Sequence, residues 1–513
     1  MRTAISRLKH VYHSTRYYLA QWKSFGLSNA IFLYLHGKKT NALHYNTIFP
    51  DDQIVGQYKE LAKKASAKRE EYVLVNVTND ELSPVIEHAF LIWASESDAD
   101  IVYGDSIEMW NPQSKRFAEQ RYVFKPDFGI DTYRAQQYIG GVCYIKKKWI
   151  EQYASNGITE PEMLDEVIFR VWEEGGIISH IQRVLSFHAG PVQYSYEGRE
   201  SVVASHLKRC KLDAKKISTD KDVLKIQYTL RKPHEKVSII IPNKDNVDVL
   251  QKCIDSILDK TSYDNYEIVV IENNSTEDDT FNYYKEIQRS ERVRVITCVT
   301  NWNYSFINNY GVREATGKYY LLLNNDTEVI APDWVEQMLQ YAQRKDVGAV
   351  GAKLFFSDGT IQHAGVTVGI RGVAGHAFRL WSGDDRGYMN RLVAVSNMSA
   401  VTAACMMVRK DVFDQVGGFD EKLEVAFNDV DLCLRIRKKG YNVVYTPEAK
   451  LFHHESKSRG SDQQAKDKQE RFNRECAYFC KKHYRTVVQG DPYYNTNLSL
   501  DSDDFELIGA YKV

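Results

Sequence analysis

The 513 residues carry 67 Lys and Arg against 68 Asp and Glu, a formal net charge of −1, with 43% hydrophobic and 26% charged residues. That length calls for more than one domain, at about 150 residues each, and near-neutrality excludes a bulk polyanion binder, so no nucleic-acid partner is implied. No apolar run reaches the roughly 18 residues that span a bilayer, and no signal-peptide core opens the chain. The eight cysteines form no CxxC and no disulfide-like framework, which fits a reducing cytoplasm. Cys476, Cys480 and His483 could be written as a zinc set, but CxxxC on a helix more often reads as packing.

Residues 1–71 read as a helical arm. Its first fifty residues contain no Asp or Glu, and they set Arg2, Arg7, Lys9, Arg16, Lys23, Lys38 and Lys39 among Tyr12, Tyr17, Trp22 and Phe32. That interleaving suits an anionic membrane surface. It equally suits a basic helix pair packed on the next domain.

Residues 72–195 echo the second half of the chain. Tyr72-Val-Leu-Val-Asn76 followed by Pro84 is in step with Tyr320-Leu-Leu-Leu-Asn324 followed by Pro332, with a Tyr-to-Pro distance of twelve in each. In that register Thr78 matches Asp326. Ile145–Gln152 echoes Val408–Gln415, and Arg170, Gly175 and His188 match Arg435, Gly440 and His453 at an offset of 265, which aligns Leu164 with Asp429. A repeated domain half explains this economically. The first copy looks truncated and disarmed.

Residues 196–233 read as a Lys-rich linker with one helix, residues 234–490 as a second domain, and 491–513 as a tail. From Val237 the chain alternates strand and helix: Val237–Ile241, a helix through Leu250 and Ile257, Ile268–Ile271, Val293–Ile296, then Tyr319–Leu323. Such alternation predicts a mostly parallel sheet with helices on both faces. The strands end in Pro242-Asn243-Lys244-Asp245, Glu272-Asn273-Asn274-Ser275, Asn301-Trp-Asn303 and Asn324-Asn325-Asp326, which the topology would place on one edge, where open α/β sheets bind ligands. No GxGxxG or P-loop motif occurs there. A lone carboxylate after a strand, Asp326, suits Mg²⁺ or Mn²⁺ carrying a phosphate; an ordinary turn before a helix starting at Pro332 accounts for it too. Asp429 and Asp431 open another helix, where capping is the plain alternative. His453 and His454 follow the strand-like Asn442–Thr446, and one could complete a hard-metal site with Asp326 or be a core histidine.

In their order, Val237-Ser-Ile-Ile-Ile-Pro242, Glu272-Asn-Asn-Ser275, Asn324-Asn-Asp326, Gly417-Gly-Phe-Asp420, Asn428-Asp-Val-Asp431 and His453-His-Glu-Ser456 resemble glycosyltransferase family 2. Gly351-Ala-Lys-Leu354, Asp358-Gly-Thr-Ile-Gln-His-Ala-Gly365 and Asp491-Pro-Tyr-Tyr-Asn495 look like its bacterial rhamnosyltransferase-like members, which build O-antigen, capsule or wall polysaccharide. The resemblance covers about 234–500. It implies an α/β, Rossmann-like GT-A catalytic domain, here preceded by a degenerate, truncated GT-A-like module. It also implies inverting, metal-dependent transfer from a dTDP- or UDP-sugar to a glycan acceptor, plausibly polyprenyl-linked, at the inner face of the plasma membrane. By position, Asp326 would bind the divalent metal with His453 or His454. Asp429 would be the general base, and Pro242, Asn243, Glu272, Asn274, Asn303, Asn324 and Asn325 would surround the nucleotide-sugar. Asn324 stands where the family's DxD has an Asp, and Asn428 replaces an acidic neighbour of the base. A sugar nucleotidyltransferase and a carbohydrate-binding pseudoenzyme are the rival readings; a homo-oligomer is left open.

Overall fold

The computed structural model describes residues 69–83, 86–110, 119–189, 196–454 and 466–508. The basic aromatic arm lies outside the described residues. The chain divides into two units, one holding the described residues up to Lys125 with Ile139–Val202, the other Pro126–Tyr138 and the described residues from Val203 onward.

In the first unit, β1 (Tyr72–Asn76), β2 (Glu81–Leu82), α1 (Ile86–Ser97), β3 (Ile101–Trp110), β4 (Glu119–Val123), β5 (Val142–Lys146), α2 (Lys147–Tyr153), α3 (Pro161–Glu173) and β6 (Ile178–Ala189) follow one another. Their sheet runs β1-β5-β3-β6-β2, with β4 beside β3. Tyr72, Phe90, Ala94, Val102, Ile181 and Leu185 form its core on the α1 side. Val102 of β3 and the Ile86, Phe90 and Ala94 stripe of α1 meet there, so the helix buries the face its own period supplies.

The second unit adds a hairpin, β7 (Ala214–Asp220) and β8 (Val223–Tyr228). Its main elements are β9 (Val237–Asn243), α4 (Val247–Lys260), β10 (Tyr266–Glu272), α5 (Asp278–Ile287), β11 (Val293–Thr297), α6 (Tyr304–Glu314), β12 (Tyr319–Leu323), β13 (Thr327–Val329), α7 (Trp334–Ala342) and β14 (Val347–Phe355). The short strands β15 (Ile361–His363), β16 (Val366–Val368), β17 (Ala374–His376) and β18 (Ser396–Asn397) come next. They lead to β19 (Cys405–Arg409), α8 (Lys410–Val416), α9 (Asn428–Lys438), β20 (Asn442–His453) and α10 (Lys466–Lys482). The sheet order is β11-β10-β9-β12-β19-β14-β20-β13. β9, β10, β11 and β12 are parallel. Every residue of β9, β10 and β12 is buried, as expected of strands covered on both faces, and each fully buried Val, Leu or Ile contributes about 1.5–3 kcal/mol of transfer free energy.

The two sheets share a topology. In the first, β1 and β3 pair antiparallel to β5, β3 runs parallel to β6, and β2 pairs antiparallel to β6. β12, β14, β19, β20 and β13 repeat that order and those directions. The pairing registers correct the sequence alignment by one residue at the first strand. Val73 and Tyr320 sit opposite Ile145 and Val408 respectively, and Glu81 and Glu328 opposite Phe187 and Phe452. Asn79, not Thr78, therefore occupies the place of Asp326. Apolar strand residues alike in character hide such a slip until hydrogen bonds fix it.

Four other expectations change. Pro126–Tyr138 belongs to the second unit, because Asp131 is held there by Arg344 and by Asn397, whose Oδ1 accepts from the Asp131 amide at 2.8 Å. The linker contributes β8, whose Tyr228 amide donates to Gln340 Oε1 at 2.8 Å. Nor are residues 491–508 a loose tail: Asp491 accepts from Val368 N at 2.8 Å and Ser399 Oγ at 2.7 Å, and Phe505 stacks on Phe378. Pro332 precedes α7 by two residues instead of starting it, an ordinary boundary difference.

Candidate active site

Because β9, β10 and β12 run parallel, Asn243, Glu272 and Asn324 leave the sheet at the same edge. The loops there are shaped by their own polar side chains. Buried Asn243 donates through Nδ2 to Tyr284 at 2.8 Å and accepts through Oδ1 from Asn325 at 2.6 Å. The Glu272 carboxylate accepts the Ser275 amide at 2.7 Å, and Asn274, at φ +57°, donates to the Thr300 carbonyl at 2.6 Å. Pro242 is buried beside them as the penultimate residue of β9. Asn303 is turned to another duty. It caps α6 by accepting from Phe306 N at 3.0 Å and ties down Glu421 O at 2.9 Å.

At the end of β12, Asp326 is 7% exposed and its Oδ1 lies 3.2 Å from His453 Nε2. Asn324 Nδ2 is also 3.2 Å from that nitrogen. The opposite ring nitrogen, Nδ1 of His453, is buried and has no hydrogen-bond partner among the described residues, a costly state for a polar atom. His454 is elsewhere engaged, with Nδ1 2.6 Å from Ser357 Oγ and Nε2 3.2 Å from Glu328 Oε2. Successive residues of a strand point to opposite faces, so only one of the pair can reach Asp326. A carboxylate and an imidazole are donors that fit a divalent cation, and Asn324 turns its amide nitrogen to the same ring.

The third element is the start of α9. Phe427, at φ +61°, turns the chain into the helix, and Asn428 Oδ1 accepts from the Asp429 amide at 2.7 Å. Asp429 Oδ1 accepts from Val430 N at 2.8 Å and Oδ2 from Ala403 N at 3.1 Å. Each oxygen keeps a lone pair for a proton. One residue on, the Ala404 carbonyl accepts from Asn324 N at 3.1 Å. A single peptide segment thus joins the end of the metal-candidate strand to the base candidate.

Asp431 points the other way and is fully buried. It accepts from His483 at 2.7 Å and Arg435 at 2.8 Å, and Lys482 lies 2.7 Å away. Burial alone would raise its carboxyl, but the His483 hydrogen bond and the two cations hold it down to about 2. Its role is structural, anchoring α10 and the helix after it to α9. His483 is spent in that contact, not on Cys476 and Cys480, both free thiols. Nearby, fully buried Glu475 accepts from Ala426 N at 2.6 Å and Val425 N at 3.3 Å, holding the loop that leads into α9, and burial pushes its carboxyl up. Sequence reading missed Ala403 and Glu475, and weighed His483 only as a zinc ligand rather than as the partner of Asp431. Nothing local marks them, since each acts on a residue tens of positions away.

The model of the glycosyl transferase family 2 domain matches residues 238–417. An uncharacterised protein of Sinorhizobium fredii is 40% identical over 430 residues, 80% of this chain and 46% of that protein. The O-antigen biosynthesis protein RfbC of Myxococcus xanthus is 34% identical over 460 residues, 86% of this chain and 34% of its own length. The chain therefore spans less than half of each of these relatives. A shorter match, 44% over 62 residues, is to the N-acetylglucosaminyl-diphospho-decaprenol L-rhamnosyltransferase of Mycobacterium tuberculosis, covering 12% of this chain and 20% of that one.

Proposed function

The chain carries a glycosyl transferase family 2 domain, and from that premise we propose that it is an inverting glycosyltransferase of GT-A architecture. It moves a sugar, rhamnose in first place, from a dTDP- or UDP-sugar to a growing, lipid-linked surface polysaccharide. The observation that carries this reading is the 403–404 segment, which binds Asp429 through one residue and Asn324 through the next. A base and an anion-handling edge are thereby held in fixed relation, as a displacement between two bound sugars requires. The rhamnosyltransferase match supports the donor, and the O-antigen relative supports the polysaccharide. The rival nucleotidyltransferase reading finds little support in the loop after β9, where Asp245 accepts the Thr276 and Glu277 amides at 2.7 and 3.1 Å, an anion and not a phosphate cradle.

In mechanism, Asp429 removes the proton of the attacking hydroxyl as that oxygen displaces the nucleotide at the anomeric carbon, giving inversion in one step. The Ala403 and Val430 amides keep the carboxylate oriented meanwhile. Such general-base help is worth roughly 10²–10⁴ in rate. Asp326 and His453 would hold Mg²⁺ or Mn²⁺, which when bound offsets the negative charge of the leaving diphosphate. The edge formed by Pro242, Asn243, Glu272, Asn274 and Asn325 shapes the nucleotide side of the cleft.

The first unit reads as an inactive copy kept for scaffolding or acceptor recognition. By register Asn79 replaces Asp326, and by the offset of α3 and α9 the buried Leu164 replaces Asp429. Neither can bind a cation as an anion or take a proton. His188, in the place of His453, keeps an acidic neighbour, its Nδ1 2.7 Å from Asp80. Among the described residues no helix is long and apolar enough to cross a membrane, and attachment to the cytoplasmic face falls to the basic aromatic arm.

A panel of dTDP- and UDP-sugars incubated with the protein, with and without Mn²⁺, tests the reading. Release of nucleoside diphosphate from one of them, with the anomeric centre inverted, is expected. Formation of nucleoside triphosphate and sugar 1-phosphate when pyrophosphate is added, or retention of configuration, would sink it.

A further inference from the structure

The last residue of β15 is a fully buried histidine that the mechanism above does not use. His363 Nε2 lies 3.3 Å from Gly365 N and 3.4 Å from Thr402 N, and both amides point their protons at it. A nitrogen receiving two N–H donors carries no proton of its own, so the hydrogen of this ring is on Nδ1. That atom is 2.8 Å from His376 Nδ1, which must then be the acceptor, leaving the His376 hydrogen on Nε2. Both tautomers are thus fixed by the backbone. Burial and the neighbouring His376 and His453 keep the His363 ring neutral, which this arrangement requires.

Thr402 stands at the head of the segment that joins the two halves of the site. The next amide, Ala403 N, holds Asp429, the Ala403 carbonyl accepts from Tyr304 at 3.0 Å, and the Ala404 carbonyl holds Asn324. Just before it, Val366 N donates to the Ala400 carbonyl at 2.9 Å, so the turn after His363 and the segment run side by side. Buried amides need acceptors, and Thr402 finds its acceptor in this ring. We infer that His363 is a positioning residue for the transfer step, setting through the 402–404 backbone where Asp429 stands relative to Asn324 and Asp326. The inference rests on the reading of Asp429 as the base.

The test uses the full chain with His363→Ala and His363→Gln, the latter offering an amide oxygen close to where Nε2 accepts. Hydrogen exchange across 400–405 is measured together with hydrolysis of whichever nucleotide-sugar the wild-type protein turns over. Loss of the ring should speed exchange over that segment and lower kcat by about 10–100-fold, since a displacement of about 1 Å costs that much. KM for the nucleotide-sugar should stay within about threefold, and Gln should restore most of both losses, because it supplies the acceptor the amides need. Unchanged exchange in the Ala variant, a kcat within about twofold of wild type, or a Gln variant no better than Ala would each overturn the inference. A core histidine without this role would lower stability and leave kcat of the folded fraction untouched. Asp429→Asn is assayed alongside. Turnover retained there sinks the base reading itself, whereas a dead Asp429→Asn beside an unimpaired His363→Ala sinks only the positioning role.

Discussion

Replacing Asp431 by Asn leaves Arg435, Lys482 and His483 facing a neutral amide in a fully buried place. The native carboxyl is held at about 2 against an ordinary 3.8, a difference corresponding to about 2 kcal/mol of stability at neutral pH. Breaking one side of a buried ion pair costs about 3–5 kcal/mol, so a loss of about 2–4 kcal/mol is expected. The sign follows from the depressed value. The contribution is fully present above pH about 4, where the unfolded carboxyl is also ionised, and disappears as pH falls through about 2. Urea unfolding of wild type and Asp431→Asn between pH 7 and pH 2.5, followed through the transition of the second unit, should therefore show a gap that is constant down to pH about 4 and closes below it. Residual turnover per folded molecule should stay near wild type, because Asp431 faces α10 and not the cleft. A gap under about 1 kcal/mol, or one that widens in acid, would refute the reasoning.

Asp326→Ala should weaken nucleoside-diphosphate binding only when Mg²⁺ or Mn²⁺ is present; calorimetry showing equal loss in both conditions removes the metal role. Deleting residues 1–40 should abolish salt-sensitive co-sedimentation with anionic liposomes, as seven basic residues at about 1 kcal/mol each make a reversible attachment; unchanged sedimentation returns the arm to packing. His188→Ala should leave nucleotide-sugar hydrolysis unaltered, and a second nucleotide-binding event lost in that variant would contradict the inactive-copy reading.

The parts legible in sequence were those encoded locally. Tyr319–Leu323 is apolar at every position because parallel central strands are buried on both faces, and its polar exit at Asn324 lies on the edge where open α/β sheets bind ligands. Asp429 was legible because it opens a helix within a short motif. The hidden parts depend on distant partners. Asp131 draws Pro126–Tyr138 into the second unit through Arg344, 213 positions away, and no periodicity announces such a pairing. The stretch 361–404 consists of short strands and turns whose backbone hydrogen bonds carry its meaning, so neither Ala403 nor His363 stands out by residue type. His454 looks equivalent to His453 on paper. Strand alternation separates them, sending one to Asp326 and the other to Glu328 and Ser357.

The most direct test of the account is the turnover of Asp429→Asn on the nucleotide-sugar that wild type hydrolyses, with nucleotide affinity measured on the same preparation. Loss of a general base predicts a fall of at least about 100-fold with affinity changed no more than a few-fold, since Asp429 spends its carboxylate oxygens on the Ala403 and Val430 amides. Retention of more than about a tenth of wild-type turnover would contradict the account.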